Sequence, residues 1–76
     1  SKMTKNQKFH EIETLREGLL IKQEKAFKSL KESYPSIDMK KIKSLIDLAQ
    51  QEDKDGNRTH YKELFKVLRR AQKSML

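Results

Sequence analysis

The sequence predicts an all-α fold, a small bundle of three to four helices at about residues 5–22, 24–33, 38–52 and 59–73. Three observations lead there. Apolar residues recur every three or four positions through most of the chain, the spacing of one face of a helix. No stretch alternates apolar and polar residues with a period of two, so a sheet has no candidate strands. Residues that cap or stop helices fall between the periodic segments rather than inside them.

The first periodic segment carries Phe9, Ile12, Leu15, Leu19, Ala26, Phe27 and Leu30, with Lys, Glu and Gln, all good helix formers, between them. Gly18 and a drift of the apolar stripe near Ile21 predict a break, so the segment divides into a helix ending near Lys22 and another from about Glu24 to Ser33. Pro35 ends the second, because it lacks a backbone N–H and disfavours helical geometry at Tyr34. Ser36 or Asp38 caps a third helix with Ile42, Leu45, Ile46 and Ala49 inward, running to about Glu52. Turn formers then cluster at Asp53-Lys54-Asp55-Gly56-Asn57. Thr59 is the expected cap of a fourth helix that turns Tyr61, Leu64, Phe65, Leu68 and Ala71 inward. The 76 residues make a single domain, with residues 1–4 and 75–76 expected to fray.

Composition excludes several function classes. A domain this small buries only about 60% of its unfolded surface, which leaves little room for a deep substrate pocket. The longest apolar run, Leu19-Leu20-Ile21, is far below the roughly 20 residues that span a bilayer, so no membrane role is expected. With no cysteine, disulfides and thiolate ligands are excluded, and the cytoplasm is the expected location. Asp53, Asp55 and Asn57 imitate the first oxygens of a calcium loop. The rest of that pattern fails: Arg58 stands where the turn needs Gly, and Leu64 stands where the closing Glu belongs. A capped interhelical turn explains the same residues. His10 and His60 are isolated in sequence and read as surface histidines, so neither a metal nor another cofactor is expected. Glu11, Glu13 and Glu17 read as solvated residues beside Lys8 and Arg16, not as an acid–base pair. With Gly18 and Gly56 the only glycines, there is no phosphate-cradling loop and no nucleophile elbow. No enzyme is expected.

Charge is the remaining signal. The chain carries +7, and residues 39–76, with ten basic and five acidic residues, account for +5 of it. On the fourth helix Lys62, Lys66, Arg69 and Lys73 fall within roughly a 60° arc, with Arg70 beside them and the Leu64, Phe65 and Leu68 stripe facing away. Only Glu63 opposes these five cations within that helix. Lys40 and Lys43 also point away from the core of the third helix, with Lys41 at their flank, and Arg58 lies in the loop leading to the fourth. Lysine-rich faces often do no more than keep a helix in solution, but a face so poor in acids is also what phosphate binding requires. The candidate phosphate contacts are therefore Lys40, Lys43, Arg58, Lys62, Lys66, Arg69, Arg70 and Lys73. Tyr61 and Phe65 are assigned to the core and not to base stacking.

Four segments in order carry a family resemblance: Phe9-His10-Glu11-Ile12-Glu13-Thr14-Leu15-Arg16, Tyr34-Pro35-Ser36-Ile37-Asp38, Lys41-Ile42-Lys43-Ser44-Leu45-Ile46-Asp47-Leu48-Ala49 and Lys62-Glu63-Leu64-Phe65-Lys66-Val67-Leu68-Arg69. Their order and spacing over residues 9–70 resemble the C-terminal half of the YjgA or DarP type of bacterial ribosome maturation proteins. The resemblance implies an all-helical binding factor that associates with precursors of the large ribosomal subunit and assists maturation around the peptidyl transferase centre. It also implies that Lys43, Lys62 and Arg69 keep family-like positive charge and that Arg58 replaces a loop lysine. Met39 and Asp47 depart from the pattern, standing where Arg is expected, and Arg58-Thr59-His60 replaces paired prolines.

The expected function is thus non-enzymatic binding of ribosomal RNA or large-subunit precursor particles, with no small-molecule substrate. Two other readings fit the same composition. One is a helical protein-interaction module with an acidic partner, or with the long first helix as its docking face. The other is a double-stranded DNA binder built from the last two helices, for which the Asp53–Arg58 loop is long and acidic. The sequence leaves the oligomeric state open.

Overall fold

The computed structural model describes residues 4–74, which form α1 (Lys5–Leu20), α2 (Glu24–Ser33), α3 (Met39–Asp55) and α4 (Thr59–Ser74). Among the described residues there is no strand, and the all-α expectation holds. The fraying expected of residues 1–4 and 75–76 falls, apart from Thr4, outside the described residues.

Each helix starts and stops for a local reason. Thr4 and Gln7 form a reciprocal capping box at α1: the Thr4 hydroxyl accepts from the Gln7 N–H at 3.1 Å, and the Thr4 N–H donates to the Gln7 side chain at 2.7 Å. The helix runs straight through Gly18. A Cβ there would stand 3.0 Å from the Ala26 Cβ, so this glycine serves the close approach of α2 to α1 rather than a break. The break comes at Lys22, which takes the left-handed conformation at φ 56°. Around it the Gln23 N–H donates to the Gly18 carbonyl at 3.1 Å and the Lys22 N–H to the Leu19 carbonyl at 3.0 Å, the paired bonds of a Schellman ending. The Leu20 carbonyl is met by the Gln50 carboxamide of α3 at 2.5 Å, which ties this corner to the body of the fold.

At the end of α2, Tyr34 leaves the helical region (φ −133°, ψ 70°) as Pro35 demands. Of the two candidate caps for α3, Asp38 is the one used; its carboxylate accepts from the Lys40 and Lys41 N–H groups at 3.0 and 3.3 Å. Helix α3 passes Glu52 and continues to Asp55, ending on Gly56 at φ 78°. The turn into α4 is capped by Asn57, not Thr59: the Asn57 side-chain oxygen accepts both the Thr59 N–H at 3.2 Å and its hydroxyl at 2.8 Å. Thr59 is the first helical residue.

Glu52 adds a second clasp. It is buried, and its carboxylate accepts the His60 N–H at 2.5 Å and faces the His60 ring at 2.7 Å. Burial opposes its charged form, but the His60 bonds and charge and the Tyr61 N–H outweigh that and hold its carboxyl below the usual carboxylate range. His60 is therefore a half-buried partner of Glu52, whereas His10 is exposed as expected.

Ile12, Leu19, Leu30, Ile42, Ile46, Leu64 and Leu68 have almost no exposed surface and form the centre of the core. Burying such a side chain contributes about 1.5–3 kcal/mol before chain entropy is counted. Helix α4 lies mainly against α3, with α1 across it. Lys8 and Glu11 of α1 meet Gln72, Phe9 meets Phe65, and Arg16 and Glu17 meet Tyr61, so α1 and α4 run antiparallel. Two expected core residues differ. Phe9 is 48% exposed, because the centre of the core is filled by Ile12 one turn later. Tyr61 is half-buried, with its hydroxyl donating to Glu17 at 3.0 Å.

Candidate nucleic-acid interface

The amphipathic pattern of α4 decides where its charges go. Leu64 and Leu68 are sealed in the core, which turns Lys62, Lys66, Arg70 and Lys73 outward, all exposed. Between them lies a shallow concavity of about 230 Å³ lined by Phe65, Lys66, Arg69, Arg70 and Lys73. A second groove, about 330 Å³, is lined by Thr59, Glu63, Lys66, Val67 and Arg70 of α4 together with Lys41 of α3. Lys66 and Arg70 belong to both. Lys66, Arg69, Arg70 and Lys73 thus share one concavity, and Lys41 of the neighbouring helix lines the adjoining groove beside Glu63.

Not every cation on the sequence-derived face is equally free. Arg69 is half-buried, and its guanidinium donates to the Gln72 side chain. Gln72 is itself buried and donates onward to the Lys8 carbonyl at 3.2 Å and the Glu11 carboxylate at 3.4 Å. Tyr34 adjoins this polar cluster. Burial and the Glu11 carboxylate push its phenol above the ordinary value, against the opposing pull of Gln72 and Arg69. Gln72 therefore ties α4 to α1, while Arg69, bonded to Gln72 within α4, lines the concavity.

Arg58 is exposed, but its guanidinium stacks 4.3 Å from the Tyr61 ring centre. Arg16 of α1 stacks on the same ring at 3.9 Å and reaches Phe65 at 5.0 Å. Its buried Nε has no hydrogen-bond partner among the described residues, which leaves the rings as its main contact. Tyr61 thus gathers two guanidinium groups. The N-terminal half of α3 divides its charges. Lys40 is exposed in the first turn, while Lys43 lines a separate concavity of about 230 Å³ with Lys22, Phe27, Ile46 and Asp47. Asp47 pairs with Lys22 at 3.3 Å, so this patch carries an acid, whereas the concavity of Phe65, Lys66, Arg69, Arg70 and Lys73 has none among its lining residues.

The structure therefore brings Lys66, Arg69, Arg70 and Lys73 together, with Lys62 on the same exposed side of α4, and sets Lys43 and Arg58 beside other neighbours. Two contributors escaped the sequence-derived set. Lys41 flanks Lys40 in the sequence and lies on the groove wall, and Arg16 is hidden among α1 residues whose contact with α4 spans more than forty positions. Chemically the assembly can neutralise and hydrogen-bond a polyanion. No group of three or more histidine, cysteine or acidic residues is placed to hold a metal among the described residues, and no described helix is long and apolar enough to cross a membrane.

The family model described as dual-action ribosomal maturation protein DarP matches residues 1–69. The chain belongs to the DarP family. The match covers α1, α2, α3 and α4 as far as Arg69, so the DarP-matched stretch takes in the capped turns and the Lys62–Lys66 part of the basic face, while Arg70 and Lys73 lie just beyond it. The resemblance drawn from the four sequence segments and the DarP match thus agree on the family. No curated protein and no solved structure gives a match.

Proposed function

We propose that this chain is a non-enzymatic RNA-binding module that contacts ribosomal RNA in precursors of the large ribosomal subunit, in the cytoplasm, and assists their maturation. The observation that carries the reading is the α4 concavity, where Lys66, Arg69, Arg70 and Lys73 converge without an acid among the lining residues. Membership of a ribosomal maturation family supplies the kind of polyanion. The phosphate contacts are Lys62, Lys66, Arg70 and Lys73 foremost, with Lys41 and Arg69 at the margins and Lys40, Lys43 and Arg58 as outlying charges. Such a surface binds through counterion release, so log affinity falls linearly with log salt by about 0.7 to 0.9 per phosphate neutralised.

The test is binding to purified large-subunit ribosomal RNA across a salt series, beside a variant with Lys62, Lys66, Arg70 and Lys73 changed to Gln. Four contacts give a slope of roughly 3 for the parent, and the variant, still helical, should lose most of it. Salt-independent or undetectable binding by the parent overturns the reading. The competing protein-interaction reading draws on exposed Ile21 and Leu48, and binding to an acidic protein that persists at high salt would favour it.

A further inference from the structure

Phe9 is the one large side chain that the helical pattern assigns to the core and the fold leaves half outside, at 48% exposure. Its ring lies 4.9 Å from that of Phe65, tilted by 53°. Phe65 in turn lines the concavity formed by Lys66, Arg69, Arg70 and Lys73. An exposed aromatic ring is thus anchored by its neighbour at the edge of the strongest cluster of positive charge on α4.

The other two rings of this region are already occupied. Arg16 and Arg58 stack on Tyr61, and Arg16 also reaches Phe65. Among the described residues no cation stacks on Phe9. Leaving a phenylalanine at the surface costs apolar burial, about 25 cal/mol for each Å² kept in water, and the cost is recovered where a flat apolar ligand covers the ring.

We infer that Phe9 is a stacking platform for an unpaired nucleobase whose flanking phosphates lie on Lys66, Arg70 and Lys73, so that the RNA element bound at this site is single-stranded. The inference rests on the RNA-binding reading above and deepens it by naming the substrate class. A duplex keeps the faces of its bases stacked on one another, and only a looped-out or single-stranded nucleotide offers a free face to an aromatic side chain. Cations beside a ring are the pairing that single-strand binders use, with charge along the backbone and sequence-tolerant stacking of the base. The partly sequestered Arg69 fits this geometry as the floor of the site, since its tie to Gln72 leaves the ring and the three outward cations to make the contacts.

The test compares a short oligoadenylate carrying one 2-aminopurine, an RNA duplex of equal length, heparin and phosphatidylserine vesicles as ligands of the whole chain. Phe9→Leu keeps apolar packing against Phe65 but removes the flat ring, and Phe9→Trp keeps a ring; far-UV circular dichroism checks that both remain helical. The expected result is quenching of 2-aminopurine by the parent, a roughly 5- to 100-fold loss of oligoadenylate affinity in Phe9→Leu at unchanged salt slope, recovery in Phe9→Trp, and unchanged heparin binding. Steep, salt-dependent binding that Phe9→Leu leaves intact overturns the stacking inference while the RNA-binding reading stands. An equal loss for heparin and oligoadenylate, or a loss confined to vesicles, also overturns it, the latter in favour of a membrane surface. No RNA binding by the parent removes both readings together.

Discussion

The two left-handed residues give a stability prediction whose size differs between them. Gly56 ends α3 at φ 78° and Lys22 ends α1 at φ 56°. A Cβ added at Gly56 meets nothing within 4 Å, so Gly56→Ala carries only the backbone term. That term costs about 1–2 kcal/mol for a non-glycine residue in this region. It is offset by about 0.4–1 kcal/mol from the stiffer unfolded chain, leaving a net loss near 1 kcal/mol. Lys22→Gly runs the other way: it relieves a similar strain, returns the unfolded-state entropy, and removes the Lys22–Asp47 pair. Both partners of that pair are more than half exposed, at 57% and 60%, so it is worth about 0–1 kcal/mol. Lys22→Gly should be close to neutral. Thermal melts followed by far-UV circular dichroism should show Gly56→Ala lowered by roughly 4–8 °C and Lys22→Gly within a few degrees of the parent. An unchanged or raised melting temperature for Gly56→Ala would refute the left-handed ending of α3 as the device that turns the chain into α4.

Two further outcomes follow from packing and from the Glu52 clasp. Leu68→Ala, at a site with no exposed surface, should cost about 2–5 kcal/mol in urea unfolding with little change in m-value, a large share of what a domain of this size has available. Because Glu52 is held below the usual carboxylate range, its contribution to stability is present at pH values above the unfolded carboxyl's titration and is lost as pH falls through the lower folded value. Acid melts should therefore show the parent losing stability over that window more steeply than Glu52→Gln, and parallel pH profiles for the two proteins would remove Glu52 as the source.

The elements that depend on neighbours in sequence were legible in it. Pro35 stops α2, Asp38 caps α3, and the Ile42, Leu45, Ile46 and Leu64, Leu68 stripes reach the core as their spacing requires. What escaped depends on tertiary contact. The pattern cannot distinguish Phe9 from Ile12 as the residue that enters the core, because both lie on the same stripe and the choice is made by α4. Nor does it reveal that Gln72 is buried, since Lys8 and Glu11, which accept from its side chain, lie more than sixty residues away. Thr59 and Asn57 are both competent caps by type, and only the geometry of the turn after Gly56 selects Asn57. The candidate site was legible as a charged face but not as a division between cations that hold the fold and cations that face water.

That division bears on what the proposed interface can recognise. Three of the arginines are engaged internally: Arg16 and Arg58 on Tyr61, and Arg69 on Gln72. The outward set is Lys62, Lys66 and Lys73, with Arg70 the arginine among them. Lysine offers a flexible point charge, whereas the planar fork of arginine is the group suited to bidentate recognition of a phosphate or a guanine edge. A face of this composition is suited to holding a backbone without selecting a sequence, and its contribution should fade with salt at equal slopes for RNAs of different sequence. Discrimination in the proposed complex then has to come from the shape of the RNA, from whether a base is free to leave its stack. Phe9, beside the cations and free of any of its own, is the residue in the described structure placed to sense that difference.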